Sequence, residues 1–268
     1  NGLYERVCLI RGWTPTAEGK ETWYTNIRAR YGPHKAKMME ELDAIPRDGG
    51  GQAIPGAWIA DAMREERPIL RQALDDDFNG MPPQERQAWC RGWIARELTP
   101  VLDSLPPHNR HSVGVDFARH RDFSVIAPFA LDLTPVRSVP FMVELHKVPL
   151  AQQRQILWAI LDALPGLICV AMDAAGNGLG LAEDTADRYG HTLVQQVTSW
   201  NTWYAENMHG FARAFELGAL DLPRDMNLDS DLRCLEDIDG VIKPPKVKRQ
   251  DLKDPDLYRH ADAAIALA

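Results

Sequence analysis

The sequence predicts an α/β fold: a mixed sheet flanked by helices, preceded by a mainly helical region over residues 1–110. Three observations carry that expectation. Between Ser112 and Val148, three strand-length segments rich in Val, Ile and Phe follow one another with only short charged or Pro-containing turns between them. Beyond them, apolar stripes of helical period alternate with short apolar runs, giving the order β-β-β-α-β-α-β. Ahead of them, Pro, Gly and charge clusters interrupt every candidate element, and nothing alternates as a strand.

In chain order, Glu21 to Tyr31 and Lys35 to Leu42 are expected to be short helices, the second stopped by the breaker run Ile45 to Gly51 (IPRDGGG). Pro83 to Leu98 is a longer helix, with Trp89, Trp93 and Ile94 at helical spacing. Leu105 to Asn109 (LPPHN) stops helices and favours an extended linker, which divides the chain into residues 1–110 and 111–268. Ser112 to Ala118, Ser124 to Leu131 and Val139 to Val148 form an antiparallel meander. Pro128 removes a ladder donor there, which implies a bulge or an edge.

Ala151 to Leu164 is a helix with Ile156, Leu157, Ile160, Leu161 and Leu164 on one face. Leu167 to Met172 is continuously apolar, the pattern of a strand covered on both faces. A Gly-rich turn leads to a helix at Leu179 to Tyr189, and Thr192 to Val197 returns as a strand. Ala205 to Leu217 sets Met208, Phe211, Ala212 and Phe215 on one stripe. The last helix is expected to open with Asp254 as N-cap and Pro255 at its first position. Its stripe is Tyr258, Ala261, Ile265 and Ala268, bordered by Asp262.

The 268 residues hold 30 Lys+Arg against 38 Asp+Glu, a formal charge of −8, which excludes a nonspecific polycation surface. Nucleic acid stays open, because bound divalent cations and local basic segments reverse the sign where contact occurs. With 45% hydrophobic and 25% charged residues the chain is expected to be soluble and globular, and no apolar run approaches the ~20 residues of a membrane helix. Cys8, Cys90, Cys169 and Cys234 stand singly without zinc spacing and read as reduced, mostly buried thiols. Lacking an initiator Met and a signal sequence, the chain reads as a piece of a longer intracellular protein.

Three carboxylates sit where a solvent-seeking charge is least expected. Asp116 lies within the apolar strand SVGVDFA, Asp173 ends LICVAMD, and Asp262 stands among the alanines of YRHADAAIALA. Burying an isolated carboxylate costs several kcal/mol unless it is paired or metal-bound. Each alone would pass for an ordinary strand-end or helix-surface charge; together, in this order of elements, they imply a common partner. A hard divalent ion, Mg²⁺ or Mn²⁺, takes oxygen ligands and keeps waters or phosphate oxygens in its shell. Two such ions ~4 Å apart serve phosphodiester hydrolysis.

On these residues the sequence resembles the C-terminal nuclease domain of phage terminase large subunits, which has the RNase H-like fold. The matching segments are VGVDFARHRDFSVIAPF (Val113 to Phe129), ICVAMDAAGNGLGLAEDTA (Ile168 to Ala186) and YRHADAAIALA (Tyr258 to Ala268). The resemblance implies that Asp116, Asp173 and Asp262 are catalytic and bind Mg²⁺ or Mn²⁺ as two ions. It implies an endonuclease that cuts double-stranded DNA with little base readout. GLYERVCLIRGW (Gly2 to Trp13) and EELDAIPRDGGG (Glu40 to Gly51) are more weakly similar to the connecting region of Mu-like phage terminases. That similarity implies a packaging ATPase domain upstream of Asn1, the portal and small terminase subunit as partners, no membrane, and the host cytoplasm as location.

Secondary candidates surround the trio. Arg119, His120 and Arg121 make a basic tip on the first hairpin, and Asp122 is expected to cap it. From Val241 to Lys253 the sequence sets Lys243, Lys246, Lys248, Arg249 and Lys253 against Asp251 alone, a loop or hairpin suited to phosphates rather than bases. Arg119, Arg121, Lys246, Lys248 and Arg249 are therefore the candidate DNA contacts. Glu144 reads as an exposed strand charge, with an auxiliary ligand as the alternative. His260, two residues before Asp262, points off that helical face and reads as a surface or DNA-contact residue.

Two motifs are decoys. TAEGKET (Thr16 to Thr22) lacks the spacing and the preceding strand of a phosphate loop. GNGLGLA (Gly176 to Ala182) follows a strand, but the next strand has no acidic residue for a ribose, so its glycines are expected to let backbone approach the carboxylates. The rivals are a junction resolvase or transposase of the same fold, a noncatalytic assembly module, and a sugar-kinase or actin-like ATPase. The last would need a Gly/Ser/Thr-rich phosphate loop after the first strand, where ARHRDF stands.

Overall fold

The computed structural model describes residues 2–31, 52–63, 65–118, 122–198 and 200–268. The expected helix Lys35 to Leu42, its breaker run and the Arg119 to Arg121 tip lie outside the described residues. By packing, the chain divides after Arg47 into two units, residues 1–47 and 48–268. The first unit holds α1 (Gly2–Arg11) and α2 (Ala17–Tyr31). The Thr16 hydroxyl accepts from Gly19 N at 3.0 Å at the start of α2, and Tyr4 meets Trp23 with ring centres 5.7 Å apart.

The second unit begins with α3 (Gly56–Ala62), β1 (Ile69–Ala73), α4 (Asp76–Gly80) and α5 (Pro83–Trp93). A π turn at Ile94–Leu98 carries α5 into α6 (Thr99–Asp103). Then come β2 (Arg110–Asp116), β3 (Phe123–Leu131), β4 (Arg137–Ser138), β5 (Met142–His146), α7 (Leu150–Ala163), β6 (Leu167–Asp173), α8 (Leu179–Tyr189), β7 (Val194–Val197), α9 (Trp200–Glu216), β8 (Leu220–Asp221) and α10 (Met226–Arg233). Short hairpin strands β9 (Glu236–Ile238), β10 (Val241–Lys243), β11 (Arg249–Gln250) and β12 (Tyr258–Arg259) lead to α11 (Asp262–Leu267).

The main sheet runs β1-β5-β3-β2-β6-β7, with β4 and β8 paired off the far end of β3. The meander β2-β3-β5 is antiparallel and the pairs β1·β5, β2·β6 and β6·β7 are parallel, so the sheet is mixed, as expected. Pro128 stands opposite Val113 with the register unbroken. It falls where β3 has left β5, paired through Ile126, and has not yet met β4, paired from Ala130. It therefore occupies a local edge and not a bulge.

Alternation assigns the two faces. Val113, Val115, Ile126, Val143, Val170 and Met172 face α5, α7 and α8, where Ile156, Leu157 and Ile160 of α7 are wholly buried. Each such side chain contributes roughly 1.5–3 kcal/mol. Val125, Ala127 and Met142 face α9, α10 and α11. On that face a Cβ at Gly114 would lie 1.9 Å from the Ala266 carbonyl oxygen, so glycine is what lets α11 lie against β2.

Two expectations are corrected. Residues 1–110 do contain a strand: β1 joins the edge of β5, and its sequence ILRQA carries no alternation because tertiary pairing holds it. The last helix does not start at Asp254. Asp251 accepts from Lys253 N (2.8 Å) and Asp254 N (3.0 Å), and Asp254 accepts from Asp256 N (3.1 Å), which makes a side-chain-capped turn. Tyr258 and Arg259 then pair with Gln250 and Arg249, and Ala261 turns the chain at φ 63° before α11 opens at Asp262. Tyr258 is accordingly exposed and not part of an apolar stripe.

Candidate metal centre

Strand register gathers the first two carboxylates. Asp116 at the end of β2 pairs across to Val125 of β3, which pairs to Glu144 of β5, which pairs to Arg71 of β1. On the other side Val115 pairs with Met172, which brings Asp173 beside Asp116 at the carboxyl ends of two parallel strands. Their neighbours Val115 and Met172 face the opposite helices, so both carboxylates point toward α9 and α11. Asp262, at the first position of α11, is 5% exposed and reaches the same face.

Asp116 lies within electrostatic reach of both other carboxylates. Burial, then the charges of Asp262, Asp173 and Asp122, raise the Asp116 carboxyl well above its ordinary range, against one opposing hydrogen bond from the Phe117 backbone. Burial, then Asp231 and Asp122, push Asp262 up to about 7, against the His260 backbone N–H and Arg259. That N–H donates to Asp262 Oδ2 at 3.0 Å. Asp173 Oδ1 accepts from Ala175 N at 2.8 Å, and a Cβ at Gly178 would stand 2.5 Å from the Asp173 carbonyl oxygen. The glycine turn does bring backbone against this carboxylate.

The donor chemistry fits a hard divalent cation: three carboxylates, with no thiol among them. Among the described residues no three His, Cys, Asp or Glu side chains close to distances that would hold an ion.

The other candidates divide. Glu144 is fully buried, not an exposed strand charge; Arg259 and Arg71 occupy both of its oxygens, so it is held as a structural anion. Lys246 and Lys248, between β10 and β11, and Arg249, the first residue of β11, are exposed, and Lys248 pairs with Asp122, whose charge acts on both Asp116 and Asp262. The basic segment thus lies beside the trio. His260 turns its ring away from Asp262, donating through Nε2 to the Pro245 carbonyl at 2.6 Å.

Sequence reasoning missed Tyr204 of α9, whose hydroxyl is raised above its ordinary range by burial and then by Asp116 and Asp173. It also missed Asp231 and Arg259. An arginine inside an alanine-rich segment three residues before Asp262 was the available signal.

No family model matches the chain. It is 35% identical over 271 residues to the probable terminase large subunit gp28 of Escherichia phage Mu, covering 100% of this chain and 48% of that protein. It is 34% identical over 267 residues to the Mu-like prophage FluMu protein gp28 of Haemophilus influenzae, covering 99% and 51%. Along essentially its whole length the chain is thus similar to Mu-like phage terminase large subunits. It spans about half the length of these terminase relatives. A crystal structure of the large terminase nuclease from thermophilic phage G20c, with bound magnesium, superposes with a TM-score of 0.51 at 16% identity, covering 82% of this chain and 96% of that one. The chain therefore has the RNase H-like mixed-sheet fold expected of it.

Proposed function

We propose that this chain is a terminase segment acting as a divalent-metal-dependent endonuclease that cuts double-stranded DNA, with Asp116, Asp173 and Asp262 as its metal ligands. The observation that carries the reading is the meeting of three carboxylates from β2, β6 and α11 on one face, Asp173 and Asp262 buried and Asp116 half-buried at its rim, with the charges of Asp262 and Asp173 both raising the proton affinity of Asp116. Two Mg²⁺ or Mn²⁺ ions held there would activate a water and stabilise the leaving oxygen of a phosphodiester. Asp116 and Asp173 would bind the metals, and Asp262 would complete the shell. Tyr204, kept protonated by its surroundings, offers a hydroxyl donor beside Asp116 and Asp173. Lys246, Lys248 and Arg249 would grip phosphates next to the cut, and Arg119 and Arg121 are proposed to extend that grip.

Residues 1–110 are proposed as the connecting region and 111–268 as the nuclease, working beside a packaging ATPase in the same polypeptide, with the portal and small terminase subunit as partners in the host cytoplasm. Among the described residues no helix is long and apolar enough to cross a membrane. A noncatalytic assembly module is the rival reading. Plasmid digestion separates the two: cleavage is expected with Mg²⁺ or Mn²⁺, none in chelator, and none from a folded Asp173→Asn variant. Chelator-resistant cutting, or full activity in the variant, would refute the metal assignment.

A further inference from the structure

Arg259 is 2% exposed and is the centre of a buried charge cluster. Its Nε donates to both oxygens of Asp231 at 3.1 Å, and its Nη2 donates to Asp231 Oδ2 and Glu144 Oε1, both at 2.8 Å. Its Nη1 donates to Glu144 Oε2 at 3.1 Å and Asp251 Oδ2 at 3.2 Å, and its guanidinium carbon lies 4.7 Å from the Phe123 ring centre. The three carboxylates come from separate elements: β5, α10 and the turn after β11.

Two features tie this cluster to the candidate metal ligand Asp262. Asp231 Oδ2 also accepts from Ala263 N at 3.3 Å, so one buried carboxylate clamps the chain on both sides of Asp262, through the side chain three residues before it and the backbone one residue after it. Between them Ala261 sits at φ 63°, a conformation L residues resist, which persists only where the surroundings enforce it. Glu144 lies in the same cross-sheet row as Asp116, with Val125 between them. Arg259 therefore braces the turn that presents Asp262 against the sheet that presents Asp116.

We propose that Arg259, acting with Asp231, is a positioning residue that sets the affinity of the trio for its divalent ion. A network that served packing alone would have no reason to close on both sides of a ligand. Removing partners that orient a metal ligand typically costs 10–100-fold in metal affinity. The inference rests on the metal-dependent reading of the trio, and its test distinguishes the two.

The test uses the full chain and Mn²⁺ alone as probe. Arg259→Met would leave Glu144, Asp231 and Asp251 buried without their cation and is expected to fold poorly. Arg259→Lys keeps the charge but cannot fork to three carboxylates, and Asp231→Asn keeps an acceptor for Ala263 N while losing the charge that holds Arg259. Mn²⁺ binding is measured by calorimetry, the Mn²⁺ needed for half-maximal plasmid cleavage is measured alongside, and duplex affinity is measured in chelator. In both folded variants we expect Mn²⁺ affinity to fall about 10-fold or more, the cleavage midpoint to rise in step, and duplex affinity to stay at the wild-type level. Mn²⁺ affinity within about threefold of wild type, or a parallel loss of duplex affinity, would overturn the positioning role. Failure of the wild type itself to bind Mn²⁺ would instead bring down the metal reading, and this inference with it.

Discussion

Neutralising Asp262 should stabilise the metal-free protein, and the effect should depend on pH. Burial, Asp231 and Asp122 push the Asp262 carboxyl from its ordinary 3.8 up to about 7. At about 1.4 kcal/mol for each tenfold change in proton affinity, that amounts to up to about 4 kcal/mol against the ionised form in the folded state. Below pH ~4 the group is protonated whether folded or unfolded and costs nothing. As pH rises from there through about 7, the unfolded chain ionises first, and folded stability is lost progressively.

Asp262→Asn is neutral throughout and keeps an oxygen for the His260 N–H. In chelator, its urea unfolding free energy should match the wild type near pH 4 and exceed it by up to about 4 kcal/mol at pH 8. Saturating Mn²⁺ should narrow that gap, since only the intact trio gains binding energy; at about 100 times the dissociation constant the gain is about 2.7 kcal/mol. A variant less stable than wild type at pH 8 in chelator, or a gap that ignores pH, would show that the carboxylates do not crowd one another.

Other outcomes follow from particular contacts. Gly114→Ala would drive a methyl into the Ala266 carbonyl; a loss of roughly 1–3 kcal/mol or more in urea melts, with reduced Mn²⁺ affinity as α11 shifts, is expected. Asp225 is held at about 2, because Lys253 and Arg71 outweigh its burial. Its contribution to stability should be complete above pH ~4 and fade as pH falls toward 2, a loss that Asp225→Asn should abolish in acid melts. Replacing Lys246, Lys248 and Arg249 with Ala should weaken binding to two unrelated duplexes alike and flatten the salt dependence by up to ~0.9 log unit per lost phosphate contact. An unchanged slope, or a loss confined to one duplex, would refute phosphate gripping by this segment.

Local order and chemistry were legible in the chain itself. The meander, the two helices Leu150–Ala163 and Leu179–Tyr189, and the buried strand ending at Asp173 are written in short-range periodicity. Asp116 and Asp173 were visible because a charge at the end of an apolar strand breaks the pattern around it. What depended on distant partners was not visible. The strand Ile69–Ala73 exists because Met142–His146 offers it an edge 73 residues later in the chain. Asp254-Pro255 looks like a helix start, yet the carboxylates of Asp251 and Asp254 cap a turn and strand pairing takes Tyr258–Arg259. Glu144 looked like a surface charge because the cations that hold it are far away in sequence. Its cations, Arg71 and Arg259, arrive 73 residues before it and 115 after it. A buried charge is tolerable only with its partner in place, so whether Glu144 faced water or the core was decided by the tertiary fold that brings those arginines to it.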